Sequence, residues 1–209
     1  NDRTWLAYKD MSERNFSDDV ENGANGWSAD GIWHITEHRA ESSSHSWYYG
    51  QEVSGDYDTG SGNSGSLVSP NINLCGFSNA TLSFWNWYKT EDEPGRDRNT
   101  YDCKYVDISK DGGATWTQLY QISLPPHDMQ TWQKIQIDLP SSYVGQTIKI
   151  RFRFNTQDSQ HNKNEGWYID DVTVSGDFQF PVNEATLMVR LTEGATVSFN
   201  SGGTTAIED

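Results

Sequence analysis

The stretch Gly166-Trp167-Tyr168-Ile169-Asp170-Asp171-Val172-Thr173-Val174 decides how the chain folds. It has the aromatic and β-branched residues of a strand, but two adjacent carboxylates lie in its middle, and Asp is among the poorest strand formers. Successive strand residues point to opposite faces, so we expect Asp171, which shares a face with Ile169, to point inward. An inward carboxylate without a counter-charge costs several kcal/mol. The segment therefore predicts a β-domain that is held together by a bound cation.

The composition is typical of an extracellular all-β module. The chain has 209 residues, which is enough for one large β-sandwich or for one domain with an appendage. Only 34% of the residues are apolar, but 9 Trp, 10 Tyr and 8 Phe supply bulk for a core. Helix formers are scarce, and no segment shows sustained apolar spacing at three and four residues. An all-β fold is therefore expected.

The net charge of -15 excludes several classes of partner. A chain this acidic repels a phosphate backbone and an anionic membrane surface, so we expect no nucleic-acid binding. No apolar run approaches the about 20 residues that span a bilayer, so we expect no membrane insertion. The acidity suits cation binding, although it is equally typical of a solvated surface that resists aggregation. The chain begins at Asn1 without Met, which favours a processed or excised fragment and a secreted location.

Alternating apolar and polar residues mark the strands. In residues 148–154, Ile and Phe alternate with Lys and Arg, so this strand has one apolar and one cationic face. The run Lys110-Asp111-Gly112-Gly113 separates two strand-like segments, and Asp-Gly at that place is a strong hairpin signal. Strands at such intervals, joined by Gly-rich turns, predict an antiparallel two-sheet sandwich or jelly roll.

We divide the chain into three parts. Residues 1–15 are interpreted as an N-terminal segment or edge strand, and residues 16–176 as the jelly-roll domain. The sequence pattern changes after Gly176. Residues 177–209 are interpreted as a linker and a short extra β-hairpin, which closes the sandwich or begins a further module.

One turn has a pattern of its own. The segment 109–116 fits the Asp-box pattern Ser-x-Asp-x-Gly-x-x-Trp at every fixed position, namely Ser109, Asp111, Gly113 and Trp116. The Ser and Asp side chains are expected to bond turn backbone groups, the Gly to take a positive φ, and the Trp to cover the turn. The pattern occurs once and no blade repeat accompanies it, so it indicates a structural turn and not a propeller.

Several segments in chain order form a combination more specific than any one of them: 18–23 with 26–27, 65–74, 80–84, 106–116 and 166–172. The combination resembles the MAM-like jelly-roll module, a galactose-binding-like sandwich, that follows the catalytic domains of secreted bacterial peptidases, notably immune inhibitor A metallopeptidases. Similar modules occur in cleaved adhesins. The resemblance covers roughly residues 16–175, and only the bacterial branch is meant, because the vertebrate MAM cysteine pattern is absent.

The resemblance implies calcium near the junction of the first and last strands. The metal candidates that it carries over by position are Asp19, Glu21, Asp56, Asp170 and Asp171. Calcium binds about six to eight oxygens of carboxylates and carbonyls, which this set and the backbone can supply. The alternative is that these residues cap turns in solvent.

No catalytic motif is recognised. The chain has no His-Glu-x-x-His zinc helix and no Gly-x-Ser-x-Gly elbow, so we name no catalytic residue and expect the catalytic domain elsewhere in the parent protein. Cys75 and Cys103 are available for one disulfide, and the sequence leaves their pairing open.

The expected function is a calcium-stabilised accessory or attachment module of a secreted hydrolase, with a peptidase as the expected parent. Its partners are then the parent catalytic domain and an extracellular protein or polysaccharide surface. One alternative is an adhesin or filament subunit that self-associates through edge strands. The other is a carbohydrate-binding module, in which aromatic rings that would otherwise pack inside form a stacking platform: Trp47, Tyr48, Tyr49, Trp85 and Trp87.

Overall fold

The structure is a computed structural model of the 209-residue chain, and it describes residues 15–91, 101–122 and 129–178. All of these residues belong to one compact unit. They form no helix, and their strands are β1 Phe16–Asp18, β2 Ser28–Ala29, β3 Trp33–Thr36, β4 Ser46–Tyr49, β5 Ser64–Val68, β6 Ile72–Asn73, β7 Thr81–Lys89, β8 Cys103–Ser109, β9 Thr117–Gln121, β10 Met129–Asp138, β11 Thr147–Asn155 and β12 Gly166–Ser175.

The strands form two antiparallel sheets that pack as a sandwich. The first sheet has the order β10-β7-β12-β4-β3, and β1 also pairs with β12. The second has the order β2-β5-β11-β8-β9, and β6 also pairs with β11. The predicted all-β, antiparallel two-sheet fold is confirmed. In the described part of the chain, no helix is long and apolar enough to cross a membrane.

Aromatic packing between the sheets fills the core. Phe152 on β11 is fully buried, as the alternation of its strand predicts. Its ring lies 6.1 Å from that of Trp27, 4.9 Å from that of Phe84 and 6.0 Å from that of Trp167. Each of these aromatic pairs adds roughly 0.5–1.5 kcal/mol to the stabilisation from buried area. Bulky rings thus compensate for the low apolar fraction of the chain.

Strand β12 carries a bulge where its two carboxylates lie. Asp170 pairs with Trp85 of β7, but the next pairing is Thr173 with Ser83, so β12 has one extra residue. Asp171 takes up the extra length with a φ of 47°, in the left-handed region that Asp tolerates better than most residues. The extra residue interrupts the alternation of faces. The expectation that Asp171 points inward is therefore wrong: Asp170 is fully buried and Asp171 is half-buried.

The predicted hairpin joins β8 and β9, which pair antiparallel. At its turn, Asp111 accepts hydrogen bonds from the backbone and the hydroxyl of Thr115, and the Ser109 hydroxyl accepts one from the Gly113 backbone. These bonds lower the pKa of Asp111 below its ordinary value. Trp116 is half-buried.

Two expectations lie wholly or mostly outside the described residues, namely the C-terminal hairpin and the N-terminal edge strand. Both cysteines are free: Cys75 is exposed and Cys103 is buried at the start of β8.

Candidate metal site beside the closing strand

The candidate site is a gap in the first sheet. β7 occupies one edge of β12 along most of its length. Along the other edge, β4 pairs with residues 167–169 and β1 pairs with residues 172–174. The two strands follow each other along β12 and leave Asp170 and Asp171 between them. The gap is therefore lined by the segment after β1 and by the segment 37–45 before β4.

Asp170 fixes the segment before β4 to β12. Its Oδ2 accepts hydrogen bonds from the backbone N–H groups of Glu41 and Ser42, at 2.8 and 3.2 Å. Its Oδ1 accepts one from the Asp171 N–H. Burial raises the pKa of Asp170 to about 7, and the three N–H donors oppose that rise. These three bonds make Asp170 a structural anchor between β12 and the segment before β4, and its role as a metal ligand stays a prediction.

Asp171 and Glu41 bring two carboxyl groups together in the gap. Asp171 accepts a hydrogen bond from the Ser42 hydroxyl at 2.8 Å, and its side chain also contacts that of Glu41. Burial, and then the hydrogen bond and negative charge of Asp171, raise the pKa of Glu41, and the charge of Lys134 opposes that rise. Two neighbouring carboxylates with so little compensating charge favour either a shared proton or a bound cation.

Glu21 lies in the segment after β1 and binds the segment 37–45 that lines the gap. Its carboxylate accepts hydrogen bonds from the backbone N–H groups of Ser44 and His45 and from the Ser44 hydroxyl. It also lies 3.0 Å from Nδ1 of His45. The bond with His45 and the N–H donors lower the pKa of Glu21 to about 2, and the pKa of His45 is raised in return. Glu21 therefore holds the segment before β4 in place.

Two metal candidates remain, Asp19 and Asp56, and among the described residues no hydrogen bond joins either of them to Asp171. Asp19 is exposed and accepts a bond from the Glu21 N–H at 3.2 Å. Asp56 follows the end of β4, whereas Asp171 lies beyond the start of β4, so the two residues lie at opposite ends of that strand and a metal role for Asp56 stays a prediction. Its carboxylate instead accepts hydrogen bonds inside its own loop, from Gln51, Ser54 and Asp58.

The gap fits a calcium ion in donor chemistry and in charge. Glu41 and Asp171 are the residues that would hold it, and both are half-buried and so open to an ion from solvent. Their carboxylates supply the hard oxygen ligands that calcium prefers, with water and backbone carbonyls to complete the shell. Within the described ranges, no group of three or more His, Cys, Asp or Glu side chains is arranged to hold a metal. The fit therefore depends on this pair.

The predicted aromatic platform is wrong for four of its five rings. Trp47 and Tyr49 are buried in the core between the sheets. Tyr48 and Trp87 lie with Tyr168 in a second buried cluster, in which the Tyr48 and Tyr168 rings stack at 4.3 Å. Arg39 covers that cluster at 3.7 Å from the Trp87 ring. Trp85 alone is half-exposed, so these rings offer no shared stacking surface.

A second buried polar cluster lies where β7 ends and β8 begins. The Tyr57 hydroxyl donates to the Asp102 carboxylate and accepts a hydrogen bond from the Glu91 N–H. Lys104 is fully buried and donates to the Thr90 hydroxyl at 2.8 Å. Burial raises the pKa of Asp102 to about 7. Sequence reasoning missed this cluster, because the alternation of β8 assigns Lys104 to the core but does not say which groups face it.

Sequence reasoning also missed Glu41. It lies in the Ser-rich turn before β4, and its only local signal was an acidic residue just ahead of that turn. Its contact with Asp171 depends on the pairing of β4 with β12 and on the bulge. Neither feature has a local sequence signature.

Comparisons with known proteins agree with this architecture. Residues 77–175 match the family described as Reelin subrepeat B. Bacillopeptidase F of Bacillus subtilis (strain 168) is 30% identical over 166 residues, which is 77% of this chain and 10% of that protein. The chain thus spans about a tenth of the length of this curated relative.

Solved structures show the same fold. The K3 cleaved adhesin domain of Lys-gingipain from Porphyromonas gingivalis w83 matches with a TM-score of 0.52 and 18% identity, over 77% of this chain and 97% of that domain. A xylan-binding domain from Paenibacillus barcinonensis matches with a TM-score of 0.47 and 16% identity, over 78% of this chain and 99% of that domain. The match to part of a peptidase and the adhesin-domain fold agree with the resemblance to the jelly-roll module of secreted peptidases and cleaved adhesins.

Proposed function

We propose that this chain is a calcium-stabilised, non-catalytic attachment module of a secreted peptidase. It would hold its parent enzyme at an extracellular protein or polysaccharide surface. The partial match with Bacillopeptidase F supports a peptidase as the parent and a location outside the cell. The pair Glu41–Asp171 carries the calcium part of the proposal, because two carboxyl groups meet in a gap of the sheet and, among the described residues, Lys134 is the cation that lowers the pKa of Glu41.

Calcium bound there would join three segments. Asp171 belongs to β12, Glu41 to the segment before β4, and Glu21 ties that segment to the chain that follows β1. An ion that relieves the repulsion between Glu41 and Asp171 stabilises the native state but not the unfolded chain. The stabilisation then follows mass action and reaches about 2.7 kcal/mol at a calcium concentration 100-fold above Kd. For a chain of this size, that corresponds to a rise in Tm of roughly 5–10 °C.

Thermal unfolding with calcium and with chelator tests the calcium part. The wild type should melt higher in calcium, and Glu41→Gln and Asp171→Asn should each lose most of the shift. In chelator both variants should be at least as stable as the wild type, because they remove a repulsion. Asp56→Asn is the matched control and should keep the full shift, since Asp56 lies in another loop. An equal calcium shift in all four proteins, or no shift in the wild type, would show that calcium does not bind this pair.

Adsorption of the labelled chain tests the attachment part. The chain should sediment with insoluble extracellular proteins or with cell-wall polysaccharides and stay in solution without them. If it adsorbs to none of these materials, the attachment role is wrong whatever the calcium result.

A further inference from the structure

The outer face of the second sheet carries an ordered row of cations. On β11, Lys149, Arg151 and Arg153 point away from the core, because the residues between them are buried. They are spaced about 6.6 Å apart along the strand. On β8, Ser109, Asp107 and Tyr105 pair with these three residues in register and so share their face. We call the surface formed by Tyr105, Asp107, Trp116, Lys149, Arg151 and Arg153 the cationic face.

Both arginines of the cationic face donate hydrogen bonds to one buried carboxylate. Arg151 donates to Oδ2 of Asp107 through Nε and Nη2, at 2.9 and 2.7 Å, and Arg153 donates to the same oxygen through Nε at 3.1 Å. The Asp107 side chain is 2% exposed, whereas those of Arg151 and Arg153 are 20% and 30% exposed. The buried carboxylate therefore orients both guanidinium groups from below while they stay accessible to solvent.

Aromatic rings also contact the guanidinium groups of Arg151 and Arg153. Arg151 lies 4.4 Å from the centre of the Trp116 ring, and Arg153 lies 4.2 Å from that of Tyr105. Each guanidinium group has more N–H donors than its contact with Asp107 uses. Among the described residues, no hydrogen bond uses the remaining donors. Such oriented, unused donors suit a carboxylate, which a guanidinium group binds through two parallel hydrogen bonds.

The charge of the cationic face is opposite to that of the chain. It has three cations and one carboxylate, so its net charge is +2, whereas the whole chain carries -15. A cationic surface on so acidic a protein attracts an anionic ligand, while the rest of the molecule repels one. The ligand is thereby directed to this face.

The neighbours of the row indicate the kind of anion. Gln118 and Gln121 of β9 pair with Asp107 and Tyr105, and Ser66 of β5 pairs with Arg153. These positions supply amide and hydroxyl groups beside the half-buried rings of Tyr105 and Trp116. Hydroxyl-rich sugar rings need amide and hydroxyl partners and an aromatic edge, whereas the side chains of an acidic peptide need mainly cations.

We propose that the cationic face binds an acidic polysaccharide, whose uronic-acid carboxylates contact Arg151, Arg153 and Lys149. The aromatic and amide groups around the row contact the sugar rings. This site is distinct from the predicted platform of Trp47, Tyr48, Tyr49 and Trp87, which is buried. The proposal rests on the attachment role and names a ligand class for it.

Binding of oligogalacturonate, measured by isothermal titration calorimetry, tests the proposal. The wild type should bind it, and the affinity should fall with rising salt, because the contact is charge-assisted and exposed. Arg153→Gln and Lys149→Gln should each weaken binding by about tenfold or more. Both variants leave Arg151 in place to pair with Asp107, so they should fold, and circular dichroism with thermal melting checks that they do.

Two controls complete the design. Lys89→Gln removes a cation at the end of β7, on the first sheet, and should leave the affinity unchanged. Methyl-esterified oligogalacturonate lacks the carboxylates and should bind at least tenfold more weakly than the acid. Unchanged affinity in Arg153→Gln and Lys149→Gln, or no binding by the wild type, would overturn the proposal, and so would poly-glutamate that binds as tightly as the sugar. Adsorption that persists in Arg153→Gln would leave the attachment role intact and remove only this ligand class.

Discussion

Replacing Asp102 by Asn should remove a large part of the pH dependence of the protein's stability. The Asp102 carboxyl group is buried just before β8 and accepts a hydrogen bond from the Tyr57 hydroxyl. Burial and the nearby Glu91 raise its pKa to about 7 from an ordinary 3.8, while Tyr57 and Lys104 act in the opposite direction. The pKa rise means that folding favours the neutral form of Asp102.

The sign and size of the effect follow from proton linkage. Between about pH 4 and pH 7, the native state keeps a proton on Asp102 that the unfolded chain has released, so stability falls as pH rises. The contribution is absent below about pH 4, where both states are protonated, and it is complete above pH 7. A pKa difference of about 7 minus 3.8 corresponds to about 4 kcal/mol of unfolding free energy. This is an upper value, because Glu91 and Lys104 respond to the same proton.

Urea unfolding of the wild type and of Asp102→Asn at pH 4 and pH 8 measures this contribution. The variant cannot ionise at this position, so its stability relative to the wild type should increase by up to about 4 kcal/mol between the two pH values. Asp170, whose pKa is also raised to about 7, titrates in both proteins and cancels in the difference. The exposed Asp19→Asn is the control and should follow the wild type.

A stability difference between Asp102→Asn and the wild type that is the same at pH 4 and pH 8 would refute the reasoning. It would mean that Asp102 is ionised in the native state and that the Tyr57 and Lys104 contacts outweigh its burial. An offset that is added equally at both pH values, on top of a change between them, would not matter, since it reports only the exchange of a carboxyl for an amide.

Three further predictions concern the fold and the contact between Glu21 and His45. Gly166→Ala should lower the unfolding free energy in urea by about 3 kcal/mol, because φ is 117° and a Cβ would lie 2.2 Å from a backbone oxygen of β4. Gly112→Ala is the control. Its φ is 74° but the space around it is open, so it should cost only about 1–2 kcal/mol. Phe152→Ala should cost about 3–5 kcal/mol in the same assay, because it empties the centre of the core; a loss below 1 kcal/mol would contradict the packing. The pKa of His45, followed by NMR, should lie above 6.5 and fall in Glu21→Gln; the stabilisation from this pair is present below the unfolded pKa and is lost as pH rises through the folded one.

The alternation of apolar and polar residues predicted most of the fold, because it depends only on residues within one strand. In 148–154 the apolar residues lie in the core and the cationic residues on the outer face, as their period of two requires. The same rule failed at Asp170 and Asp171, where the bulge shifts the alternation by one residue. The bulge is defined by the register of β12 against β7, and no local pattern specifies that register.

The aromatic residues show a second limit of sequence reasoning. Trp87 and Tyr48 point to the outer side of the first sheet, where an exposed stacking surface was a reasonable expectation. Trp87 is buried because Arg39 lies over it and is held there by its ion pair with Glu165, at 2.7 Å, and Tyr48 is covered by the stacked ring of Tyr168. An exposed platform and a covered cluster have the same strand pattern, and the covering residue comes from a distant part of the chain.

The sequence by itself determined the fold class, the antiparallel pairing of β8 with β9, the inward and outward faces of β11, and the anomaly of two carboxylates in the closing strand. These properties depend on composition and on neighbours in the chain. Only the tertiary structure decided that Asp170 is the anchor, that Glu41 faces Asp171, and that Asp107 orients two arginines on the outer face. Those contacts join segments far apart in the sequence, and their geometry is set by sheet register and by a bulge, which no single segment encodes.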